Sequence, residues 1–256
     1  MKMTSYEPGT PSWVDIGVPD MDAAVAFYGG LFGWTFTEGS EETGGYRMGQ
    51  VDGVDVAGFG PKMDPGPPFW STYVATADVE ASCAKAVAAG GAIVVEAMDV
   101  MDFGRMAVCT DDVGTFFSLW QAGTHSGSGI VNVANTPTWN ELNTRKPDEA
   151  KAFYPGVFGW AANDMPSPGG TYTEWKLGDR GVAGMRPMGP EMPPMVPNHW
   201  LVYFGVADVD ASTAKVTELG GSVQMAPFDT PAGRLAIISD PAGATFAFIG
   251  VTESTD

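Results

Sequence analysis

The chain contains little cysteine and histidine, and no long apolar run. Its 256 residues include two cysteines and two histidines. Two thiols cannot build the disulfide framework of small secreted proteins, and no Cys-x-x-Cys pair occurs. No apolar run reaches the roughly 18 residues that a membrane span needs, and the polar start lacks the pattern of a signal peptide. We therefore expect a cytoplasmic protein that does not enter a membrane.

Positive charge is also scarce. The chain carries 13 basic and 31 acidic residues, and its formal net charge is -18. Nucleic acids and anionic membrane surfaces would repel such a chain, so we exclude both as expected partners. Hydrophobic residues make up 44% of the sequence and charged residues 17%, which is enough apolar material for a packed core.

The sequence is an internal duplication. Residues 11–34 read PSWVDIGVPDMDAAVAFYGGLFGW, and residues 137–160 read PTWNELNTRKPDEAKAFYPGVFGW. A second pair consists of FWSTYVATADVEASCAKAVAAGG at 69–91 and HWLVYFGVADVDASTAKVTELGG at 199–221. Repeats of this kind are sought first because they decide the architecture. The halves therefore repeat at an offset of about 126 to 130 residues.

Each half is itself duplicated. Every unit begins with a short alternating strand, an acidic turn and an amphipathic helix, and three strand-like runs follow. In the first unit, residues 21–31 place Ala24, Phe27, Tyr28 and Leu31 on one helical stripe after a capping Asp20. In the last unit the strands are expected near 222–225, 234–239 and 245–251.

We therefore predict an α+β protein with four βαβββ units, paired into two open, curled modules with mixed β-sheets. The first module covers 8–122, with units 11–62 and 69–122. A linker rich in Gly, Ser and Asn covers 123–136. The second module covers 137–251, with units 137–190 and 198–251.

This pattern resembles the vicinal oxygen chelate superfamily, which includes glyoxalase I, bleomycin-resistance proteins and extradiol dioxygenases. The resemblance rests on the unit pattern, on the helix endings AFYGGLFGW and AFYPGVFGW, and on the closing SDPAGATFAFI. It is strongest for tandem two-module members of the glyoxalase-like or hydroxylase type. It implies two incomplete barrels, each around a cavity where enzymes of the family hold a divalent metal with His, Glu or Gln.

The positions that correspond to the family's metal ligands lack suitable donors here. They lie on the opening and closing strands of the units and hold Trp13, Ser71, Trp139 and Leu201, then Ala57, Ser118, Ala183 and Ala247. Zinc, iron or nickel would need imidazole, carboxylate or thiolate ligands. We therefore expect no metal in the standard position and no cofactor.

Acidic and imidazole side chains nearby suggest a different site. Side chains two residues apart on a strand share a face, so Asp15, Glu141 and His199 are expected to face inward. Glu141 and His199 are candidates for an acid/base pair or a weak two-donor site, and Asp15 is the equivalent acid of the first module. Alternatively, His199 caps the start of its strand by bonding a backbone carbonyl.

The remaining inward positions are mostly aromatic and suit a planar or amphipathic organic ligand. The predicted ligand-binding residues are Trp13, Tyr73, Ser118, Trp139, Tyr203, Arg105 and Arg234. The two arginines are candidate partners of the buried acids, or else plain turn residues of the repeat. Alternatively, the aromatic rings simply fill the barrels as core.

Residues outside these strands are expected to have structural roles. His125 lies in the linker, where we expect a solvated side chain, and Cys83 and Cys109 are expected in the core. No nucleophile motif or nucleotide-binding loop occurs.

Three functions remain open. The first is a small-molecule binding or sequestering protein that needs no metal. The second is an enzyme of hydroxylase, lyase or isomerase type that uses Glu141 or Asp15 as general base. The third possibility is a regulatory or interaction protein with vestigial cavities. Because two modules in one chain replace the pairing of single-module relatives, we expect a monomer or a loose homodimer.

Overall fold

Four βαβββ units follow one another along the chain, as predicted. The computed structural model describes residues 1–63, 65–167 and 170–252. The first module contains β1 (Pro11–Val18), α1 (Met21–Phe32), β2 (Thr35–Phe36), β3 (Arg47–Val51), β4 (Val54–Pro61), β5 (Trp70–Ala75), α2 (Val79–Ala88), β6 (Ala92–Val100), β7 (Gly104–Thr110) and β8 (Phe116–Ala122). The second contains β9 (Pro137–Thr144), α3 (Pro147–Phe158), β10 (Ala161–Ser167), β11 (Gly170–Leu177), β12 (Arg180–Pro187), β13 (His199–Val206), α4 (Val209–Glu218), β14 (Ser222–Thr230), β15 (Gly233–Ser239) and β16 (Thr245–Gly250).

Each module forms one mixed eight-stranded sheet. The first sheet has the order β2-β3-β4-β1-β5-β8-β7-β6, and the second has the equivalent order β10-β11-β12-β9-β13-β16-β15-β14. The opening strands of paired units, β1 and β5 or β9 and β13, lie antiparallel at the centre. Each is flanked by the parallel closing strand of its own unit. The predicted pairing of units within each half is therefore confirmed.

The two faces of the first sheet differ in what they contact. Val14, Ile16 and Val18 of β1 are buried in the core that contains α1. Trp13 points the other way and packs with Tyr73 and Trp120 in a separate cluster. This alternation follows from the two-residue period of a strand. We call the side that carries Trp13, and the equivalent side of the second sheet, the inner face.

The helix boundaries follow from their caps. Asp20, Asp78 and Asp208 each accept a hydrogen bond from the backbone N–H three residues later, as N-caps do. Helices α1 and α3 end at glycines in the left-handed conformation, Gly33 and Gly159, both with φ of 72°. The predicted stripe on α1 is confirmed, because all four of its residues are buried.

The helix-side cores join the two modules. One core combines α1 and neighbouring strands of the first unit with α4, β15 and β16 of the fourth. The other combines α2, β7 and β8 with α3 and its neighbours. The Tyr28 hydroxyl donates to Asp240 Oδ2 at 3.0 Å, and the Tyr154 hydroxyl donates to Asp111 Oδ2 at 3.1 Å. The first unit thus packs on the fourth, and the second on the third.

The segment between the modules is held by hydrogen bonds along its length. Ser128 donates through Oγ to the carbonyl of Val56 at 2.8 Å, and the Trp34 indole donates to the carbonyl of Asn135 at 2.8 Å. The predicted linker therefore packs against the first module. None of the helices in the described part of the chain is both long enough and apolar enough to cross a membrane.

Candidate ligand-binding site

A carboxylate and three hydroxyl groups meet on the inner face of the first sheet. Asp15 Oδ2 accepts hydrogen bonds from the Tyr73 hydroxyl at 2.9 Å and from the Tyr46 hydroxyl at 3.2 Å. Ser71, directly opposite Asp15 on β5, also hydrogen-bonds to the carboxylate. The Trp13 indole N–H donates to the Tyr46 oxygen at 3.2 Å. We call Trp13, Asp15, Tyr46 and Tyr73 the first acid network.

Burial makes the Asp15 carboxyl a weaker acid. It raises the pKa of Asp15 from 3.8 to about 6, against the opposing effect of the hydrogen bonds from Tyr73, Ser71 and Tyr46. As a whole residue, Asp15 is nevertheless half-buried and not fully enclosed. A carboxyl group with a pKa near neutral pH can accept a hydrogen bond or a proton from a bound molecule.

The second sheet repeats this arrangement around Glu141. The Tyr203 hydroxyl donates to Glu141 Oε1 at 3.0 Å, Tyr172 also hydrogen-bonds to the carboxylate, and the Asn143 amide lies 3.4 Å from Oε1. The Trp139 indole donates to the Tyr172 oxygen at 3.0 Å. Trp139, Glu141, Tyr172 and Tyr203 form the second acid network.

The two networks differ in exposure. Glu141 is 6% exposed, and burial raises its pKa, while the nearby charge of Arg186 opposes this rise. Leu201 occupies the position opposite Glu141 that Ser71 occupies opposite Asp15. The second inner face is also lined by Ala247 and by aliphatic side chains of β15 and β16. Glu141 is therefore more enclosed than Asp15, which is half-buried.

The tyrosines Tyr46 and Tyr172 were missed in the sequence. They stand 126 residues apart, the same offset that relates Trp13 to Trp139 and Asp15 to Glu141. This matching offset is the signal that would have found them. Neither tyrosine lies on the opening and closing strands, to which the predicted inward-facing residues belong.

Glycines make room for these tyrosines. Gly58 of β4 is paired with Asp15 of β1. A Cβ atom built on Gly58 would stand 1.7 Å from the Tyr46 hydroxyl oxygen. Gly184 lies beside Glu141, and its Cβ would stand 1.9 Å from the Tyr172 hydroxyl oxygen. The alignment of Ala57 and Ala183 with the family's metal-ligand positions is therefore displaced by one residue. Both alanines are buried in the helix-side cores, and the glycines face inward.

His199 does not bond to Glu141. Its Nδ1 donates to the carbonyl of Pro197 at 2.9 Å, the capping contact that was the alternative expectation. Across the strand pair, His199 faces Asn143, and Asn143 directs its amide toward Glu141. Burial lowers the pKa of His199. The Asn143 side chain thus occupies the place where His199 and Glu141 would form the expected acid/base pair.

The hypothesis that Arg105 and Arg234 partner the buried acids is wrong. Arg105 forms ion pairs with Glu80 at 2.6 Å and Asp99 at 2.8 Å. Arg234 forms equivalent pairs at the surface with Asp210 and Asp229. These pairs join the strand ends to the neighbouring helix and strand, because each arginine opens a hairpin strand next to an acid-rich helix start. The structure therefore gives no support for a ligand-binding role of either arginine.

The expectation that His125 is solvated is also wrong. Its ring packs edge-on against Trp13, with centroids 4.5 Å apart, and lies 5.9 Å from the Trp120 ring. Its Nε2 is buried and has no hydrogen-bond partner in the described part of the chain. Burial lowers the pKa of His125. The linker therefore brings a neutral imidazole to the edge of the first inner face.

The two cysteines lie in the core, as expected. Cys83 of α2 and Cys109 of β7 are buried with their sulfur atoms 3.9 Å apart, and both are free thiols. Burial raises the pKa of both thiols, which leaves them unreactive at neutral pH.

A sequence model of the "Glyoxalase/Bleomycin resistance protein/Dioxygenase superfamily" matches residues 10–119 and again residues 132–248. The chain belongs to this superfamily. The two matches coincide with the two modules, so the resemblance drawn from the repeats is confirmed.

Relatives and solved structures of the superfamily align along almost the whole chain. "Putative glyoxylase CFP32" of Mycobacterium bovis is 44% identical, and the alignment covers 97% of each chain. "Anthracycline biosynthesis protein DnrV" of Streptomyces peucetius is 39% identical, over 98% of this chain and 96% of its own.

Among solved structures, the Mn(II)-bound glyoxalase from Novosphingobium aromaticivorans has a TM-score of 0.66 at 16% identity. The alignment covers 95% of this chain and 82% of that one. The 2,3-dioxygenase LapB from Pseudomonas sp. KL28 has a TM-score of 0.67 at 16% identity, with 94% and 91% covered. At such identities the likeness concerns the fold alone.

The superfamily's metal position does not fit the side chains found here. Of the candidate ligand positions on the inner faces, Trp13 and Trp139 donate their N–H groups to tyrosines, Leu201 and Ala247 have no donor atom, and Gly58 and Gly184 have no side chain. Within residues 1–63, 65–167 and 170–252, no three His, Cys, Asp or Glu side chains come together as a metal site requires.

Proposed function

We propose that this glyoxalase-like protein binds a planar, hydroxylated aromatic molecule on the inner face of the first sheet. The observation that carries the proposal is the carboxylate of the half-buried residue Asp15, which is held by hydroxyl groups. A carboxylate in a sparsely solvated site favours a partner that donates a hydrogen bond. Asp15 therefore accepts a hydrogen bond from a hydroxyl group of the ligand.

Aromatic side chains around Asp15 support a flat ligand. Trp13, Tyr73 and Trp120 form one cluster beside it, with Met48 and Met106 packed at its edge. Aromatic rings stack on or pack edge-to-face with other rings, and methionine adapts to ligand shape. His125 adds a neutral polar edge next to Trp13.

The first module suits this role better than the second. Ser71 and Ser118 line the first inner face where Leu201 and Ala247 line the second. Glu141 is enclosed, and its hydrogen-bond partners are supplied by the protein itself. We therefore assign a structural role to the second acid network and ligand binding to the first.

The relatives agree with an aromatic ligand. DnrV and DauV are named as anthracycline biosynthesis proteins, and both align over 98% of this chain. Anthracyclines are fused-ring compounds with several ring hydroxyl groups. A molecule of that chemical class is the ligand type that the first inner face would take.

The proposal includes binding without a metal. Three hydroxyl groups and Asp15 already define a polar anchor, and the positions of the family's metal ligands hold no imidazole, carboxylate or thiolate group. We also keep the expectations of a cytoplasmic location and of a monomer or loose homodimer. Free thiols at Cys83 and Cys109 agree with the former, and pairing of two modules within one chain agrees with the latter.

An acid/base enzyme at the same site is the second candidate. The pKa of Asp15, about 6, favours it, because such a carboxyl is mostly ionised at neutral pH and still basic enough to take a proton. In that case Asp15 removes a proton from the bound ligand, and Tyr46 and Tyr73 position the carboxylate. Product formation from a bound ligand separates the two candidates.

Quenching of tryptophan fluorescence tests the proposal. The probe is 2,6-dihydroxyanthraquinone, whose hydroxyl groups are too far from other oxygens to chelate a metal. We expect saturable quenching by the wild type. In Asp15→Asn we expect a loss of affinity of about tenfold to a hundredfold, the effect of losing a charge-assisted hydrogen bond of roughly 1.5–3 kcal/mol.

Glu141→Gln is the matched control, because Glu141 is the equivalent acid of the second module. Its affinity for the probe should stay within about threefold of the wild type, with the fold checked by circular dichroism. Equal losses in both variants, or no saturable quenching in the wild type, would refute the assignment and favour a vestigial cavity.

A further inference from the structure

A cavity of about 250 Å³ lies between the two modules, separate from Asp15 and Glu141. It is bounded by the first residues of β1 and β9, by the start of β12, by the linker and by the N-terminal segment. The lining residues that matter here are Tyr6, Ser12, Trp13, Trp139, Asn140 and Arg180. Interfaces between domains are common places for small-molecule sites.

The charge of this cavity is opposite to that of the chain. The protein has 31 acidic residues, yet the described residues that line the cavity include no carboxylate, and Arg180 is their one charged side chain. One guanidinium nitrogen of Arg180 donates to Thr10 Oγ1 at 2.8 Å and to Glu7 at 3.2 Å. Its other nitrogens make no hydrogen bond to the described residues. Glu7, which forms an ion pair with Arg180, does not line the cavity, and the other two guanidinium nitrogens remain for a bound anion. The cavity therefore suits an anion, whereas Asp15 suits a hydrogen-bond donor.

One polar side chain in the cavity lacks a hydrogen-bond partner in the described chain, and a second has one polar group free. Ser12 is 3% exposed, and its hydroxyl has no hydrogen-bond partner among the described residues. Asn140 is 8% exposed and accepts a hydrogen bond from Thr72 at 2.8 Å, and its amide N–H groups remain open to solvent or to a ligand. An unsatisfied buried polar group costs about 1–3 kcal/mol. A bound acceptor would remove that cost at Ser12.

The size and the aromatic lining restrict the occupant. A water molecule takes up about 30 Å³ of liquid, so the cavity has room for about eight waters, the size of one substituted ring. Trp13, Trp139 and Tyr6 supply aromatic surface, and Tyr6 is fixed by its hydrogen bond to the carbonyl of Ser128. A single aromatic ring suits such surroundings.

We propose that the cavity between the modules binds a small aromatic carboxylate. Its carboxylate lies toward Arg180, Asn140 and Ser12, and its ring lies against Trp139 and Trp13. This site does not depend on ligand binding at Asp15. It does share the Trp13 side chain with the first acid network, so occupancy of the cavity contacts the indole that donates to Tyr46.

Isothermal titration calorimetry with sodium benzoate tests this site. We expect one benzoate per chain in the wild type and no binding of benzylamine, which has a similar ring but a positive charge. Arg180→Gln should weaken benzoate binding at least tenfold, and Asn140→Asp should abolish it because a second carboxylate repels the first. Arg47→Gln is the matched control, because Arg47 is partly exposed in the first module and does not line the cavity.

Circular dichroism shows whether Asn140→Asp still folds. If it does not, Arg180→Gln decides alone, because Arg180 is largely at the surface. The site is rejected if the wild type does not bind benzoate at 10 mM. It is also rejected if Arg180→Gln binds benzoate as tightly as Arg47→Gln, or if benzylamine binds as tightly as benzoate.

Discussion

At the scale of single residues, the chemistry concentrates on Asp15. The carboxyl group loses solvent on a sheet face and regains hydrogen bonds from Ser71, Tyr46 and Tyr73. The loss of solvent has the larger effect, so its pKa rises to about 6. The folded protein therefore holds this proton more tightly than the unfolded chain does.

This predicts a specific pH dependence of stability. The unfolded pKa is near 3.8 and the folded pKa is about 6, so between these values the folded state binds the extra proton. Stability from this group is fully present below about pH 4 and is lost as the pH rises through about 6. Urea unfolding of the wild type and of Asp15→Asn from pH 4 to 7 measures this contribution to the free energy of unfolding.

As the pH rises from 4 to 7, the free energy of unfolding of Asp15→Asn should increase relative to that of the wild type by on the order of 1 to 3 kcal/mol. Other carboxyls with raised pKa values, such as Glu141 and Asp240, are present in both proteins and cancel in the difference. A difference that stays constant from pH 4 to 7 would mean that the Asp15 pKa is ordinary.

The sequence predicted the acids and the aromatic residues of this site but not their hydrogen bonds. Strand periodicity places Asp15 and Tyr73 on one face, because that depends on local geometry alone. Tyr46, one residue before β3, reaches Asp15 across Gly58, and that contact depends on the register between strands. Likewise, the position of His125 depends on where the linker runs, which its Gly/Ser composition does not indicate.

At the scale of elements, local signals predicted the helices well and some strands less well. Asp20 and Gly33 bound α1 through capping, which acts within one turn. The strand expected near 222–225 extends to Thr230, because bulges let β14 continue past Pro227. A proline is tolerated there since β14 is an edge strand.

The caps give a test at this scale. Asp20→Ala and Asp208→Ala each remove a side chain that accepts from the first turn of a helix, and each should lower the free energy of unfolding by about 1 kcal/mol. Helix α3 is the control, because its N-cap Lys146 makes no side-chain capping bond. Lys146→Ala should change stability by less than about 0.5 kcal/mol; an equal loss in all three would show that the caps are not the cause.

At the scale of the whole molecule, the two modules share their cores. The sequence predicted two modules from the repeat, but it did not predict that the first unit packs on the fourth. Every unit carries an apolar helix face, and periodicity does not say which faces meet. The hydrogen bond between Tyr28 and Asp240, 212 residues apart, shows how far such contacts reach.

Shared cores predict cooperative unfolding. Tyr28→Phe leaves Asp240 without its phenol partner in a buried position, and should lower the free energy of unfolding by about 1–3 kcal/mol. Tyr154→Phe, the equivalent change at Asp111, should give a similar loss. In both variants, circular dichroism and tryptophan fluorescence should follow one transition. Two separate transitions would show that the modules unfold independently.

The central claim is that Asp15 and its hydroxyl partners, not a metal ion, anchor the ligand. The most direct measurement is calorimetric titration of metal-stripped protein with 1,2-dihydroxyanthraquinone, whose adjacent hydroxyl groups can chelate a metal, repeated after addition of one equivalent of Mn(II). We predict one probe molecule per chain with the same affinity in both titrations. Binding that occurs only after Mn(II) is added would contradict the account.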